Sequence, residues 1–389
     1  MECMTGEQVD KLLSGIGSLE PDGQTSVTET HISWVILSGN DVYKIKKPLR
    51  LHFLDFSTLE KRKFYCEREI MLNRRLTENI YLDVLPVVSG SGKVFIGGRP
   101  GEESDCAIDM HPSGEVSGCA IHGRMQGEVI DYAVHMRRME DSRRMDKLLK
   151  AGQVTFSDID MLAGKIAAFH KSADVVRDKD PRDIPDKFAD LVSEEAYLKA
   201  GLVSEEVHLK ANLVWGKGYP GSPPSMGDSA SISISEAVEI SDKFSEKHCK
   251  RVKERIAHGY TRDCHGDLHA GNIFLPGTPQ PFDCIEFSDD LRQTDVLNEI
   301  AFLCMDLEAF GRGDLSRRFL ISYLTLFPAV ETDEDERLFV YYKSYRANVR
   351  AKINSLRSRS AGTAAERAAA FAEAGKYLGL MNDYLRQLR

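Results

Sequence analysis

The chain changes its hydrophobic period part-way, and that change limits what it can fold into. Val27 to Leu37 carries β-branched and aromatic residues in rough alternation, Ser38-Gly39-Asn40-Asp41 reads as a turn, and Val42 to Lys46 alternates again. Period two marks half-buried strands, and a Gly-Asn pair between two such runs marks a hairpin. Val84–Ser89 and Lys93–Gly97 flank Gly90-Ser91-Gly92 in the same way, and Glu128–Met139 supplies one more strand. Among them, Ser57-Thr58-Leu59-Glu60 has the form of a capping box and predicts a helix to about Leu76. Later the period lengthens. Ser157-Asp158-Ile159-Asp160 predicts a helix start, and Ile159, Leu162, Ala163, Ile166 and Phe169 fall at 3.6-residue spacing. Residues 236–259 and 292–389 read as helical, with strand and loop over 261–287. The expected architecture is α+β: a small antiparallel sheet with one helix over residues 1–138, then a mainly helical region over 139–389.

Length and charge narrow the classes further. At roughly 150 residues per domain, 389 residues make two or three domains or one two-lobed unit. A formal net charge of −9 argues against nucleic-acid or anionic-membrane partners, which need a basic face. No uncharged apolar run approaches the ~18 residues that span a bilayer, and the first residues have no secretory pattern. The eight cysteines include no C-x-x-C pair, so reduced thiols and a cytoplasmic location are expected rather than zinc or disulfides. Leu191–Gly201 is repeated almost directly as Leu202–Asn212, a local tandem duplication. Residues 216–235 are rich in Gly, Pro and Ser and read as a loop.

The segment that carries chemistry is Cys264-His265-Gly266-Asp267-Leu268-His269-Ala270-Gly271-Asn272, entered by a strand, Tyr260–Cys264, and left by the apolar Ile273-Phe274-Leu275. Its H-x-D-x-x-x-x-N spacing is that of a kinase catalytic loop. In such a loop Asp267 accepts or orients the proton of an attacking hydroxyl. Asn272, five residues on, turns back to give its side-chain oxygen to Mg²⁺. Gly266 and Gly271 allow the tight path, and His265 packs to fix it. Eleven and fourteen residues after Asn272 stand Asp283 and Glu286. Either carboxylate suits the metal that bridges nucleotide phosphates, Glu286 by its apolar surroundings and Asp283 by its chemistry.

The string HGDLHAGN resembles the motif of the aminoglycoside phosphotransferase and choline kinase superfamily, a branch of the protein-kinase-like fold. Wider stretches resemble the phosphotransferase half of bifunctional aminoglycoside phosphotransferase/P-loop proteins. They include Glu29–Val35, Val42–Pro48, Phe53–Glu60, Cys66–Ile70, Leu72–Leu76 and the run from Asp283 to Asp306, covering most of residues 28–310. The resemblance implies a two-lobed fold, ATP and Mg²⁺ as cofactors, and a small-molecule hydroxyl as acceptor. It also implies a strand lysine paired with a helix glutamate, and a functional link to a separate P-loop kinase.

For that pair the residues themselves narrow the choice. Period two puts Lys44 and Lys46 on one strand face; Val42 stands before Lys44, which favours Lys44 and keeps Lys46 in reserve. Glu69 lies on the apolar stripe of Tyr65, Cys66, Leu72 and Leu76, where a carboxylate is costly without a cation, whereas Glu67 lies off it beside Lys63. Met136-Arg137-Arg138-Met139 falls where such a chain passes between lobes, and the backbone at Met139 is a candidate for the adenine edge. The resemblance also implies that Asp295 bonds the catalytic loop. Lys343, Arg346, Arg350 and Arg357 share a helix face that reads as solvated, with reception of an anionic substrate as the other reading.

Two features depart from the pattern. There is no G-x-G-x-x-G over the phosphates. There is also no G-x-x-x-x-G-K-[ST]; Ser89-Gly-Ser-Gly-Lys-Val94 is a look-alike that reads as a hairpin turn. The alternative to an enzyme is a nucleotide-binding regulatory pseudokinase. A protein kinase is disfavoured because D-F-G and A-P-E are missing.

Overall fold

Alternation in the first third of the chain becomes one sheet, and the longer period becomes a set of packed helices. The computed structural model describes residues 25–51, 54–90, 93–97, 127–182, 188–194 and 232–389, with Gln8, Leu12 and Leu198 as isolated positions. The 98–126 stretch, most of the 191–212 repeat and 216–231 lie outside the described residues. The chain divides into two units, Met1–Arg143 with Gln280–Asp289, and Arg144–Pro279 with Asp290–Arg389. The pattern in the sequence suggests a single boundary after residue 138. Nothing in that pattern signals that ten residues bearing Asp283 and Glu286 return to the first unit.

In the first unit, β1 (Ser26–Glu29), β2 (Ser33–Ser38), β3 (Asp41–Lys46), β4 (Tyr81–Gly90), β5 (Lys93–Ile96) and β6 (Glu128–Arg137) form one sheet. Its order is β1-β2-β3-β6-β4-β5, with every neighbouring pair antiparallel. The P-loop look-alike sits in the β4–β5 hairpin, where Gly90 pairs with Lys93. Alternation gives each face its own core. Ile45 joins Trp34, Ile36, Val87, Val94, Ile130 and Ala133. On the other face Val42 packs with Cys66 and Ile70 of helix α1 (Leu59–Asn73) and with Tyr81, Val134 and Met136. Lys44 and Lys46 share the parity of Val42, so β3 presents both to α1.

Two helix starts differ from the sequence expectation. Thr58, not Ser57, caps α1, its side chain accepting from the backbone N–H of Lys61, while Ser57 is bonded to Asp55. Capping counts from the residue whose oxygen reaches the third helical N–H; with Thr58 there, Glu60 falls one place early and makes no box. Likewise Thr155 caps α2 (Phe156–Ser172) in a reciprocal box with Asp158, ahead of the expected Ser157.

The second unit is mainly helical. It contains α2, α3 (Ile234–Ala257), α4 (Val296–Ala309), α5 (Gly313–Leu326), α6 (Asp333–Ser360) and α7 (Ala364–Leu388). Two short strands, β7 (Thr261–Asp263) and β8 (Gln293–Asp295), pair antiparallel. Every residue of α4 from Val296 to Leu307 is buried, so this helix is the core on which the others pack. No helix among the described residues is long and apolar enough to cross a membrane.

Buried charges lock α3 to the starts of α4 and α6. Arg255 is fully buried and makes a bidentate pair with Asp295, at 2.6 and 2.8 Å, and a further bond to Asp335 at 2.9 Å. Arg251 makes its own bidentate pair with Asp335, at 2.9 and 2.7 Å. Removing one partner from such a set leaves a buried ion uncompensated. Arg255→Met is therefore expected to lower stability by about 3–5 kcal/mol, read as a fall in Tm and in the denaturant midpoint; a change under about 1 kcal/mol would contradict this account.

Candidate active site

In the first unit, two lysines and two further carboxylates interlock around one buried carboxylate. Glu69 of α1 has no exposed surface and accepts from Lys44 Nζ at 2.9 Å and from Lys46 Nζ at 2.7 Å. The two lysines then part. Lys44 also donates to Asp283 at 2.7 Å, and Lys46 donates to Glu286. The sides differ in access: Lys46 and Glu286 are buried, whereas the Asp283 side chain is 43% exposed. The outer pair, Lys44 with Asp283, faces solvent and can exchange partners. The inner pair, Lys46 with Glu286, is enclosed. Glu67 lies outside, 3.8 Å from Lys63 as an exposed pair one helical turn apart.

The segment from Asp283 is pinned to its surroundings by its backbone. The N–H of Asp283 donates to Tyr81 Oη, and that of Cys284 donates to Asn73 Oδ1 at 2.8 Å. Asp283 itself has φ of +62°, the left-handed region that Asp tolerates better than most residues and that recurs at functional sites. Met139 packs on the same apolar cluster as Cys66, Val42 and Phe282. Electrostatics follow the pairing. Burial opposes the charge on Lys44, but Asp283 and Glu69 hold its pKa well above the ordinary lysine value. Burial likewise opposes the charge on Glu69, yet Lys44 and Lys46 bring it down to about 2. Glu286 goes the other way: burial pushes it up, against Lys46.

The inner pair gives a direct test. Lys46→Met and Glu286→Leu are each expected to cost about 3–5 kcal/mol by leaving an unpaired buried charge. The double variant removes both charges together, leaves Glu69 to Lys44, and is expected to recover most of that loss. A double-mutant cycle on Tm or denaturant midpoint checks it; additive losses would rule out direct coupling.

In the second unit the strand β7 runs into the loop 264–272. Gly266 has φ of +88°, which a residue with a side chain adopts only with strain. The loop's backbone is held by carboxylates of α4. Glu299, fully buried, accepts from the N–H of His265 at 2.7 Å and of Gly266 at 3.1 Å. Asp306 accepts from the N–H of Ala270 at 2.9 Å and from the Tyr377 hydroxyl at 2.7 Å. Arg346 of α6 donates to the Gly266 carbonyl and to Asn298. His265 is buried, and its Nδ1 accepts from the N–H of Asp267 at 3.2 Å. His170 and Cys264 lie beside Glu299 with ligand atoms within 4.8 Å, but the Glu299 oxygens are given to the loop amides.

Asp267 and Asn272 meet directly. The Asn272 Nδ2 donates to the Asp267 carboxylate at 2.9 Å and to its backbone carbonyl at 3.1 Å. That choice of amide face leaves Asn272 Oδ1 for a hard cation. His269 adds a contact that the motif spacing does not assign. Its Nδ1 accepts from the Gly271 N–H at 3.0 Å, so the proton is on Nε2, 3.5 Å from the Asp267 carboxylate. A Cβ on Gly271 would come within 2.8 Å of the His269 ring, so this position admits the ring only as glycine. Burial raises the cost of charge on Asp267, yet His269, Arg350 and His265 hold its carboxyl far below the ordinary range.

Two sequence expectations are corrected here. Asp295 does not bond the loop: it caps α4 through the Leu297 N–H and pairs with Arg255. Glu299, one turn further along α4, does that work. The sequence signal was present, since a carboxylate within the apolar run of α4 needs partners just as Glu69 does. Second, Lys343, Arg346 and Arg350 are not a solvated face. Lys343 pairs with Glu308, Arg346 is buried on the catalytic loop, and Arg350 reaches His269. Only Arg357 of the four is exposed.

Burial pushes Glu299 up to about 7, against the pull of Arg346 and the His265 and Gly266 amides. A carboxyl raised on folding contributes stability that is complete below its unfolded value and is lost as pH rises through its folded value. For Glu299 the window runs from its ordinary 4.5 to about 7. The Tm of the wild type, relative to Glu299→Gln, is expected to fall as pH is raised from about 5 to about 8. Parallel Tm curves would show that Glu299 does not titrate there.

No family model matches the chain. Uncharacterized proteins of Mycobacterium tuberculosis and Mycobacterium bovis are 30% identical over 335 residues, which is 85% of this chain and 55% of each relative. The chain thus spans about half the length of these curated relatives. Similar solved structures include a choline/ethanolamine kinase family protein from Mesorhizobium loti, at TM-score 0.44 and 11% identity over 98% of this chain and 99% of that one. Choline kinase from Cryptosporidium parvum gives TM-score 0.42 and 12% identity over 94% and 88%. A thermostable mutant of an aminoglycoside phosphotransferase gives TM-score 0.45 and 10% identity over 97% and 99%. At such scores the likeness carries no weight for function.

Proposed function

We propose that this protein transfers the γ-phosphoryl group of ATP, with Mg²⁺, to a hydroxyl of a small molecule. The observation that carries this reading is the bond between Asn272 Nδ2 and the Asp267 carboxylate, which orients a base and leaves the Asn272 amide oxygen free to ligate a metal. The first unit supports it with Lys44, already held between Glu69 and the exposed Asp283.

In this reading Asp267 orients the acceptor hydroxyl. The acceptor O–P bond forms as the bond from the γ-phosphorus to the β–γ bridging oxygen breaks, ADP leaves with that electron pair, and the hydroxyl proton goes to Asp267. A carboxylate held far below its ordinary range is a weak base, so it takes the proton late and contributes mainly position. Lys44 holds phosphate oxygens as a point charge. Asn272 in the second unit and Asp283 in the first are each assigned as an oxygen donor of the kind Mg²⁺ takes; Glu286, enclosed with Lys46, acts as the anchor of the Asp283 segment. When bound, Mg²⁺ neutralises phosphate charge. The backbone at Met139 is assigned to the adenine edge.

The test is Mg·ATP binding by calorimetry together with ADP formation over a pooled library of alcohols. Asp267→Ala is expected to lower kcat by about 10²–10⁴-fold while Mg·ATP binding persists. Asn272→Ala and Asp283→Ala are expected to raise the Mg²⁺ concentration needed for half-maximal rate, and Lys44→Ala to raise KM for ATP. Binding with no turnover in any pool would favour a regulatory pseudokinase. Absence of nucleotide binding would remove the assignment.

A further inference from the structure

A guanidinium without a carboxylate partner stands beside the proposed base. Arg350 of α6 has its buried Nε without a hydrogen-bond partner, and its guanidinium carbon lies 5.3 Å from the centroid of the Tyr377 ring. Its NH1 is 3.5 Å from His269 Nε2. That contact does not satisfy it, because the Gly271 N–H takes His269 Nδ1 and leaves the proton on Nε2, so two donors face each other. Burial opposes its charge; Tyr377, to whose side chain it also hydrogen-bonds, favours it, as do Asp306 and Asp267 nearby. Both are engaged elsewhere, Asp267 with Asn272 and Asp306 with the Ala270 amide and the Tyr377 hydroxyl. Among the described residues no carboxylate oxygen pairs with Arg350.

The same side of the loop offers little to a cation. Arg346, one helical turn before Arg350, is buried on the Gly266 carbonyl and Asn298 and brings a second positive charge. The Glu299 carboxylate is taken up by backbone amides. An ammonium group brought to Asp267 would meet a guanidinium, and the carboxylates of Glu299 and Asp306 beside the loop are already engaged. An anion would meet a planar fork of donors, suited to bidentate recognition of carboxylate or phosphate.

We propose that Arg350 binds an anionic group on the acceptor, so that the substrate is an alcohol carrying its own carboxylate or phosphate. This rests on the reading of Asp267 as the base that receives the acceptor hydroxyl. Arg350 then fixes one end of the acceptor while Asp267 fixes the hydroxyl at the other, which supplies orientation to the transfer.

The experiment measures ADP formation by wild type, Arg350→Gln and Arg350→Lys with Mg·ATP and two panels. One holds glycerate, gluconate, glycerol 3-phosphate and ribose 5-phosphate; the other holds ethanolamine, choline and kanamycin. The expected result is stimulation by a member of the first panel. Arg350→Gln is then expected to raise the KM for that acceptor about 10–100-fold, the loss of a charge-assisted hydrogen bond, with Arg350→Lys between. The carboxylate and phosphate members separate the two sources of the anion. Stimulation confined to the second panel, no response to the first, or an acceptor KM that Arg350→Gln leaves within about twofold would overturn the proposal. The phosphotransferase reading would survive if the wild type forms ADP with any alcohol, and would fall separately if it does not bind Mg·ATP.

Discussion

Each unit is organised by a carboxylate buried in a helix, Glu69 in the first and Glu299 in the second. An isolated buried carboxylate is expensive, so the chain must bring it cations or N–H groups, and those partners become fixed by the same requirement. In the first unit Glu69 draws in Lys44 and Lys46 from the sheet, and they draw in Asp283 and Glu286. In the second unit Glu299 draws in the backbone amides of His265 and Gly266. The two carboxylates differ in charge preference because their partners differ. Two lysines hold Glu69 down to about 2, whereas neutral amides and one arginine leave Glu299 at about 7.

The doubled lysine separates anchoring from chemistry. Lys46 and Glu286 are enclosed and fix the returning segment 280–289 to strand β3. Lys44 and Asp283 lie at the open end, where an exposed carboxylate can leave its lysine for another partner. In the second unit the division is similar. Glu299, Asp306 and Arg346 hold the loop from behind, and Asp267, Asn272 and His269 are the side chains turned to one another at its front.

Much of this arrangement was legible in the order of residues. Period two placed Lys44 and Lys46 on one face, and the apolar stripe of α1 separated Glu69 from Glu67 without a structure. Local signals were less secure where neighbours offered the same chemistry. Ser57 and Thr58 both cap well, and only the backbone path decided that Thr58 does so. Asp295 and Glu299 stand one turn apart on the same segment, and Arg255, forty residues away, removed Asp295 from the loop. The basic face of α6 looked solvated because its partners, Glu308, Gly266 and His269, are distant in sequence.

By itself the sequence determined the α+β class, the strand and helix faces, and the loop spacing that sets Asn272 back against Asp267. These depend on local periodicity and short-range geometry, which a linear pattern encodes. Only the tertiary structure decided which lysine is enclosed, that Asp283 is the exposed carboxylate, that Glu299 carries the loop, and that no carboxylate oxygen among the described residues pairs with Arg350. Each of those outcomes depends on which ions share a buried site, and burial is a property of packing between segments far apart in the chain.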